Sequence, residues 1–442
     1  MKPLLILSML SLGFFACRKE VSTNVTTDFS YEVVDDSYTT PVQVKFVNKT
    51  SGALFYKWTF PGGSPAVYDK KDPGIVTFDT TGEITIKLEA WNDEQRVEKE
   101  IKIVIDSPVE AGFNITAQQN AFGPSDFVIT STTSGATEYN WLFENGSPSS
   151  ATGSSPAPVH YDQPGTYRIF LEAKNARGVK DTLSKWITVY PALSAAFDIE
   201  PSFDDDDYEA PLVATLHNKT TSATSHKWTV NGGVVAGSSD SISSIRFDHP
   251  GTYTVVYESS NGKQSETVTR TITVKPNSGL RTVADVKLGI NTAHASVGSF
   301  YSTSLRKVFK KEEVNNSNGN KIDIVFFGLN DGFSFNQFIN PASAATWTFD
   351  AIPGATVTSV INKQEETSVQ LSAAAFDQLN NGSALNAISV PPNNADASFN
   401  ATLPRIVLFK NAEGKKGAIK VKQFVQAGLY SYIICDIKFQ KE

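Results

Sequence analysis

The chain has 442 residues, of which 40% are hydrophobic and 19% charged, and its formal net charge is −7 at pH 7. This composition is that of a globular protein with several domains, and the acidic balance without a strong basic cluster argues against a nucleic-acid partner. The chain has two cysteines and five histidines. These numbers argue against a disulfide framework, a His-based catalytic triad and a His zinc site.

The first residues have the pattern of a signal peptide. A basic start, Met1-Lys2-Pro3, precedes an apolar run that ends at Ala16-Cys17. That run is shorter than the roughly 20 apolar residues that a membrane-spanning helix needs. A cysteine at this place resembles the bacterial lipobox, which implies a lipoprotein signal peptide over 1–16, lipid attachment at Cys17 and an anchor linker over 17–27. The alternative is an ordinary secretory signal in which Cys17 is incidental.

Three stretches that follow repeat one pattern at intervals of about 85 residues, which is typical of tandem domains. Each contains a Trp, a glycine-centred turn and then a strand in which apolar and polar residues alternate. Alternation places the apolar residues on one buried face of a sheet. We therefore expect Trp58, Trp141 and Trp228 to lie in the cores of three β-sandwiches.

The turn before the alternating strand carries the clearest motif. Copies two and three have Tyr-Asp-Gln-Pro-Gly-Thr-Tyr at 161–167 and Phe-Asp-His-Pro-Gly-Thr-Tyr at 247–253, and we expect the hydroxyls of Tyr167 and Tyr253 to reach the backbone. These modules resemble PKD domains, which are immunoglobulin-like sandwiches with a Tyr-x-x-Pro-Gly-x-Tyr turn. The resemblance implies a spacer, a stalk or an occasional binding module. The acidic residues of the family's Trp-Asp-Phe-Gly-Asp-Gly motif are missing here.

The predicted fold class is mainly β, with three tandem immunoglobulin-like (PKD) β-sandwiches followed by a β-rich α+β C-terminal domain. Proline at each join predicts semi-rigid connections between the domains. The predicted boundaries are module 1 at 28–106, module 2 at 109–190, module 3 at 193–275 and the C-terminal domain at 280–442.

The C-terminal domain lacks the repeated pattern. A capping Ser372 before an Ala-rich stretch predicts a short helix over 373–379. Cys435 lies in an alternating segment and is expected in the core. Apolar patterning predicts strands at 321–327 and 346–349 and a three-stranded meander at 405–409, 417–424 and 429–439. The domain is similar to a terminal module of Bacteroidota lipoproteins at 321–327 and 417–441, and that resemblance implies no function.

Catalysis and metal binding have little support in the sequence. The chain contains no Gly-x-Ser-x-Gly elbow, phosphate loop or His-Glu-x-x-His motif. The run of four Asp at 204–207 does not have the spacing of a known calcium loop, so we expect a solvated loop there. We predict that the protein is not an enzyme, with no catalytic residues, no metal site and no cofactor.

Exposed aromatic rings are the better candidates for binding, because sugar rings stack on Trp and Tyr. Trp91 and Trp186 fall at outward positions of their strands, and Trp347 lies in the C-terminal domain. We predict these three as ligand-binding residues. The alternative is that Trp91 and Trp186 each pack against a neighbouring module or loop and that Trp347 lies in the core.

Together these features predict an outer membrane lipoprotein on the cell surface. Its PKD modules would form a stalk that displays the C-terminal domain, which would capture glycan for a TonB-dependent importer. Two alternatives remain at this stage. The protein could capture peptide for such an importer, or it could be a structural or adhesive surface stalk.

Overall fold

The computed structural model describes residues 23–238, 241–392 and 397–441, so the predicted signal peptide and Cys17 lie outside the described residues. The chain is mainly β, with antiparallel sheets of the PKD or immunoglobulin-like kind. Contacts divide it into two compact units, which are described separately. One unit contains the described residues up to 196 together with 219–226 and 258–268, and the other contains 197–218, 227–257 and the described residues from 269 onward.

Module 1 consists of two four-stranded sheets, in the orders β1-β2-β6-β4 and β5-β3-β7-β8. Its apolar residues alternate along β2 and β7 and face one shared core. The strands are β1 (Phe29–Val33), β2 (Val42–Asn48), β3 (Phe55–Thr59), β4 (Gly63–Ser64), β5 (Val67–Tyr68), β6 (Gly74–Phe78), β7 (Gly82–Trp91) and β8 (Arg96–Ile105).

Module 2 has sheets in the orders β13-β10-β9 and β12-β11-β14-β15. The long strands β14 and β15 pair along their whole length, as β7 and β8 do in module 1. The strands are β9 (Phe113–Ala117), β10 (Ser125–Ser131), β11 (Glu138–Phe143), β12 (Ser150–Thr152), β13 (Val159–Tyr161), β14 (Gly165–Lys174) and β15 (Lys180–Val189).

Module 3 follows the same plan, with strand orders β16-β17-β20-β19 and β18-β21-β22. The strands are β16 (Phe197–Pro201), β17 (Leu212–Asn218), β18 (Ser225–Val230), β19 (Val234–Ser238), β20 (Ser241–Phe247), β21 (Gly251–Ser260) and β22 (Ser265–Val274). A short 3-10 helix, Phe203–Asp205, lies between β16 and β17.

The repeated tryptophans are confirmed as core residues: Trp58, Trp141 and Trp228 are all buried. The indole nitrogen of Trp141 donates to the carbonyl of Gly153 at 2.9 Å, which satisfies the one polar group of this side chain. Edge contacts with neighbouring phenyl rings, at a centroid distance of 5.2 Å for Phe113 and Trp141, complete the packing.

The turn motif is confirmed as well. The hydroxyl of Tyr167 donates to the carbonyl of Gln163 at 2.8 Å, and that of Tyr253 donates to the carbonyl of His249 at 2.7 Å. In module 1 the equivalent residue is the buried Ile84, which keeps the apolar contact but has no hydroxyl to donate. The residue at this position is therefore buried in modules 1 and 2 and partly buried in module 3, and its side chain makes a hydrogen bond in modules 2 and 3.

The C-terminal domain is a sandwich of a five-stranded sheet, β23-β31-β30-β29-β28, and a four-stranded sheet, β25-β24-β26-β27. One helix, α1 (Ala373–Gln378), starts where the Ser372 hydroxyl accepts from the amide of Ala375, as predicted. The strands are β23 (Leu280–Gly289), β24 (Phe300–Ser302), β25 (Lys307–Phe309), β26 (Ile324–Gly328), β27 (Asn336–Ile339), β28 (Ser359–Ile361), β29 (Arg405–Lys410), β30 (Lys416–Val425) and β31 (Tyr432–Gln440). The last three strands are the predicted meander.

Both sheets of this domain are covered on both faces, which explains why β26 and β29 are continuous apolar runs rather than alternating ones. A central cluster that includes Phe326 and Cys435 fills the space between the sheets. Phe376 of α1 packs with Leu408 on the outer face of the five-stranded sheet. A further cluster that includes Phe327 lies on the outer face of the other sheet.

Two predicted strands in this domain need correction. The segment 346–349 is not a strand, because Pro341 starts a 3-10 helix, Pro341–Thr346, and the Asn340 side chain caps it by accepting from the amide of Ala342. Its aromatic residues then cover the outer face of the four-stranded sheet. The strand predicted at 321–327 begins at Ile324, since a 3-10 turn, Gly319–Lys321, precedes it.

Candidate functional site

Trp186 is the exposed aromatic of module 2. It lies on β15 with 64% of its surface exposed. Ile187 and Val189, which follow it on the strand, are buried and point into the core. The ring therefore stands on the outer face of the sheet β12-β11-β14-β15 because of strand register alone. It is a flat apolar surface presented to solvent.

Two further apolar side chains share this outer face. Phe170 pairs directly with Leu142 across β14 and β11, and Leu142 is also exposed. Arg168 pairs with Trp186, and its guanidinium carbon lies 5.8 Å from the centre of the Phe170 ring. Diagonal neighbours on a sheet are about 7–8 Å apart, so Trp186 and Phe170 are within reach of one flat ligand.

Polar groups border the same surface. The exposed Ser184 pairs with Phe170, and Asn140, also exposed, lies one row further along β11. Together with the Arg168 guanidinium they offer hydrogen-bond donors and acceptors beside apolar rings. We call Trp186, Phe170, Leu142, Arg168 and Ser184 the module 2 platform.

The corresponding face of module 1 has a different character. The register puts Lys102 at the place of Trp186, because Lys102 pairs with the fourth residue of β7 as Trp186 pairs with the fourth residue of β14. Lys102 forms an ion pair with Glu83 at 2.7 Å. This equivalent position is therefore charged in module 1.

Trp91 is less accessible than its outward position suggests. It lies between Phe55 and Arg96 in one row of module 1, with the Phe55 ring stacked at a centroid distance of 5.8 Å and the Arg96 guanidinium carbon 4.9 Å from the ring centre. These neighbours occupy the sides on which a ligand ring would stack. Trp91 thus packs against side chains of its own sheet.

Trp347 is partly buried and packs against the core cluster on the outer face of the four-stranded sheet, 4.8 Å from Phe327 between ring centres. The exposed aromatic of the C-terminal domain is instead Tyr430, in a 3-10 turn between β30 and β31, with 63% of its surface exposed. The sequence prediction placed Tyr430 in a strand. The preceding Gly428 in Ala-Gly-Leu-Tyr was the available signal for a turn.

A cleft of about 770 Å³ lies in the second unit, between the β16–β17 loop of module 3 and the C-terminal domain. Asp323 borders it and is buried, and its carboxylate accepts from the amide of Thr303 at 2.9 Å and from the Thr303 hydroxyl. Burial raises the pKa of Asp323 to about 6, although the hydrogen bonds from Thr303 act in the opposite direction. The carboxylate thus connects the turn after β24 to the start of β26, and its oxygens already accept hydrogen bonds from Thr303.

The acidic run at 204–207 also borders this part of the second unit. The prediction of a solvated loop is wrong for Asp207, whose side chain is 24% exposed, whereas that of Asp206 is 60% exposed. Arg306 of the C-terminal domain pairs with Asp206 at 2.8 Å, and Arg281 pairs with Asp207 at 3.0 Å. Burial raises the pKa of Asp207, but a hydrogen bond from Lys441 and the charge of Arg281 outweigh it and hold the pKa below the usual range.

Within the described ranges, no group of three or more His, Cys, Asp or Glu residues is placed to hold a metal ion. Over the same residues, none of the helices has the length and apolar character needed to cross a membrane. The candidate for ligand recognition that the geometry supports best is the module 2 platform.

Comparison with known protein families gives a match in the central module. Residues 112–186 match the model of the PKD domain. This segment comprises the strands of module 2 from β9 through most of β15. Modules 1 and 3 share its main strand order, β1-β2-β6 with β3-β7-β8 and β16-β17-β20 with β18-β21-β22. A search of curated proteins finds no match.

Solved structures that match this chain include cadherin domains 1–4 of protocadherin gamma B7, with 11% identity, a TM-score of 0.26 and coverage of 56% of this chain and 71% of that one. A tetra-tandem repeat from the extending region of a large adhesion protein has 13% identity, a TM-score of 0.24 and coverage of 57% and 75%. A DUF4466 family protein from Parabacteroides merdae has 10% identity, a TM-score of 0.25 and coverage of 75% and 99%. Similarity at this level carries no functional inference.

Proposed function

We propose that this is a non-catalytic cell-surface binding protein that recognises glycan chains through the module 2 platform. The observation that carries the proposal is the exposed indole of Trp186, next to Phe170 and bordered by Ser184. Sugars place their CH faces on such rings while their hydroxyls bond to polar neighbours. Within this proposal, recognition lies in the array of sandwiches rather than only in the C-terminal domain.

The test uses the full chain on a panel of immobilised polysaccharides and peptides. Trp186→Ala is expected to lower retention of the bound glycan at least tenfold, since it removes the flat surface of the platform. Lys102→Ala, at the equivalent place of module 1, is the matched control and is expected to bind as the parent does. A parent that binds no glycan, or a Trp186→Ala variant that binds as well as the parent, would contradict the proposal.

Tyr430 offers the competing location. If glycan binding is lost in Tyr430→Ala and kept in Trp186→Ala, the C-terminal domain carries recognition, as the sequence first suggested. Selective retention of peptides that depends on neither residue would favour the peptide-capture alternative. The same panel therefore separates all three possibilities.

The proposal further includes lipid attachment at Cys17, an outer membrane location and service to a TonB-dependent importer. The support for the anchor is the lipobox-like sequence at Ala16-Cys17. Labelling of cells with an alkyne fatty acid is expected to mark the parent and to leave Cys17→Ser unmarked. Equal labelling of both proteins would remove the anchor from the proposal.

A structural or adhesive stalk is the second candidate function. It is favoured by specific contacts between successive domains, such as that of Arg306 with Asp206 within the second unit. A protein that binds no glycan or peptide but whose deletion weakens attachment of cells to a surface would have this role.

A further inference from the structure

Each sandwich has one loop that is built to the same plan, between its first two long strands. The loop ends in a proline, at Pro41, Pro124 and Pro211. In each case the residue before this proline donates its amide to the last strand or its end: Thr40 to Asp106 at 3.2 Å, Gly123 to Tyr190 at 2.8 Å and Ala210 to Lys275 at 2.9 Å. We call the segments 34–41, 118–124 and 202–211 the receiving loops.

A second element repeats at the hairpin between the last two strands of each module. Asn92, Asn175 and Asn261 begin these hairpins, and each side-chain oxygen accepts from the amide two residues later at 3.0 Å. This bond fixes where the residue two positions after the asparagine lies. That residue is Glu94 in module 1, Arg177 in module 2 and Lys263 in module 3.

In the first unit, Arg177 of module 2 contacts the receiving loop of module 1. Its guanidinium carbon lies 3.9 Å from the centre of the Tyr38 ring, and its Nε donates to Asp106 at 2.9 Å. A third bond goes from the guanidinium to the carbonyl of Val104 at 3.2 Å. A cation over an aromatic ring, with a carboxylate beside it, is a favourable arrangement for arginine.

The same unit contains a second contact of this kind. Lys263 donates to the carbonyls of Phe122 and Pro124 in the receiving loop of module 2, the first at 3.4 Å. The side-chain amide of Asn120 in that loop donates to the carbonyl of Asn261 at 2.9 Å. Here the cation uses backbone oxygens, as suits the flexible ammonium of lysine.

In the second unit, the receiving loop of module 3 contacts the C-terminal domain. Arg306 lies 3.7 Å from the centre of the Phe203 ring, bonds to the Phe203 carbonyl and pairs with Asp206 at 2.8 Å. The C-terminal domain has no hairpin of the repeated kind at this place. It nevertheless supplies cations to the same loop: Arg306 from the turn between β24 and β25, and Arg281 from β23, which pairs with Asp207 at 3.0 Å.

We infer that the receiving loop of each sandwich is an interdomain docking site for a basic side chain of the following domain, and that the C-terminal domain docks on module 3 through the site that a further module would use. Arg177 joins its loop to the last strand of module 1, whereas Lys263 and Arg306 bond to residues of the loop itself. This inference does not depend on glycan binding.

Hydrogen exchange of the full chain, measured by mass spectrometry, tests the inference with three variants. Arg177→Ala is expected to speed exchange in 34–41 alone, Lys263→Ala in 118–124 alone, and Arg306→Ala in 202–211 alone. The expected increase is on the order of tenfold, which corresponds to about 1.4 kcal/mol of local stability. Glu94→Ala changes the equivalent hairpin position of module 1 and is expected to leave all three loops unchanged.

Each variant serves as a control for the other two, because a loss of folding would speed exchange across a whole module. Unchanged exchange in the matching loop would overturn the inference. So would an increase that is the same in all three loops, or one that Glu94→Ala reproduces.

Discussion

Asp323→Asn is expected to change how the stability of the C-terminal domain depends on pH. In the parent, burial raises the pKa of Asp323 from 3.8 to about 6, so the folded state holds a proton that the unfolded state releases at lower pH. The stabilisation that the folded state gains by holding the Asp323 proton is fully present below pH 3.8 and is lost as the pH rises to about 6.

The size of the effect follows from the shift. Each pKa unit corresponds to about 1.4 kcal/mol, so a shift of about two units corresponds to roughly 3 kcal/mol. Asparagine is uncharged at both pH 4 and pH 7. It makes fewer hydrogen bonds with Thr303 than the carboxylate does, and this loss lowers the free energy of unfolding by about 1 kcal/mol. The variant is therefore expected to be about 1 kcal/mol less stable than the parent at pH 4 and about 2 kcal/mol more stable at pH 7.

Urea unfolding at pH 4, 5, 6 and 7 measures this difference, with hydrogen exchange in β26 and β31 reporting on the C-terminal domain alone. Other carboxylates titrate in the same range, so the quantity to compare is the parent minus the variant at each pH. Asp331→Asn, which changes an exposed carboxylate of the same domain, is the matched control. A difference between parent and Asp323→Asn that stays constant from pH 4 to pH 7 would refute the reasoning.

Further predictions concern the cores and the turns. Tyr167→Phe is expected to lower the free energy of unfolding of module 2 by about 1 kcal/mol in urea titrations, because the bond to Gln163 is lost; no change would mean that water replaces it. Trp141→Ala is expected to cost about 3–5 kcal/mol, and Trp186→Ala close to nothing, in the same assay. Burial raises the pKa of the Cys435 thiol, so iodoacetamide is expected to leave it unmodified in the folded protein and to alkylate it in urea, as intact mass will show.

The sequence was sufficient where local patterning decides the structure. The repeated Trp, the Pro-Gly-x-Tyr turn and the Ser372 cap were predicted correctly, because each depends on neighbours within a few residues or on strand alternation. The segment 346–349 looked like a strand because of its alternating aromatic residues, but these follow the 3-10 helix Pro341–Thr346 and cover the outer face of the four-stranded sheet.

The candidate site was predictable only in part. Strand alternation showed that Trp186 points outward, whereas the ring packing that covers Trp91 depends on its row neighbours. The partners of the acidic run could not be found in this way, since Arg306 lies about a hundred residues away in another domain. Tertiary contacts of this kind leave no local signal in a single sequence.

The pairing of Lys441 with Glu209 at 2.7 Å has a practical consequence for dividing this protein into pieces. β31 ends one residue before Lys441, so the edge of the C-terminal domain is tied by charge to the sandwich that precedes it. Cutting at the join near 276–279 would separate the Glu209 carboxylate from the Lys441 ammonium group. It would also separate Arg281 and Arg306 from their partner Asp206. A fragment that contains the C-terminal domain for biochemical work should therefore begin at about residue 193, so that it includes module 3.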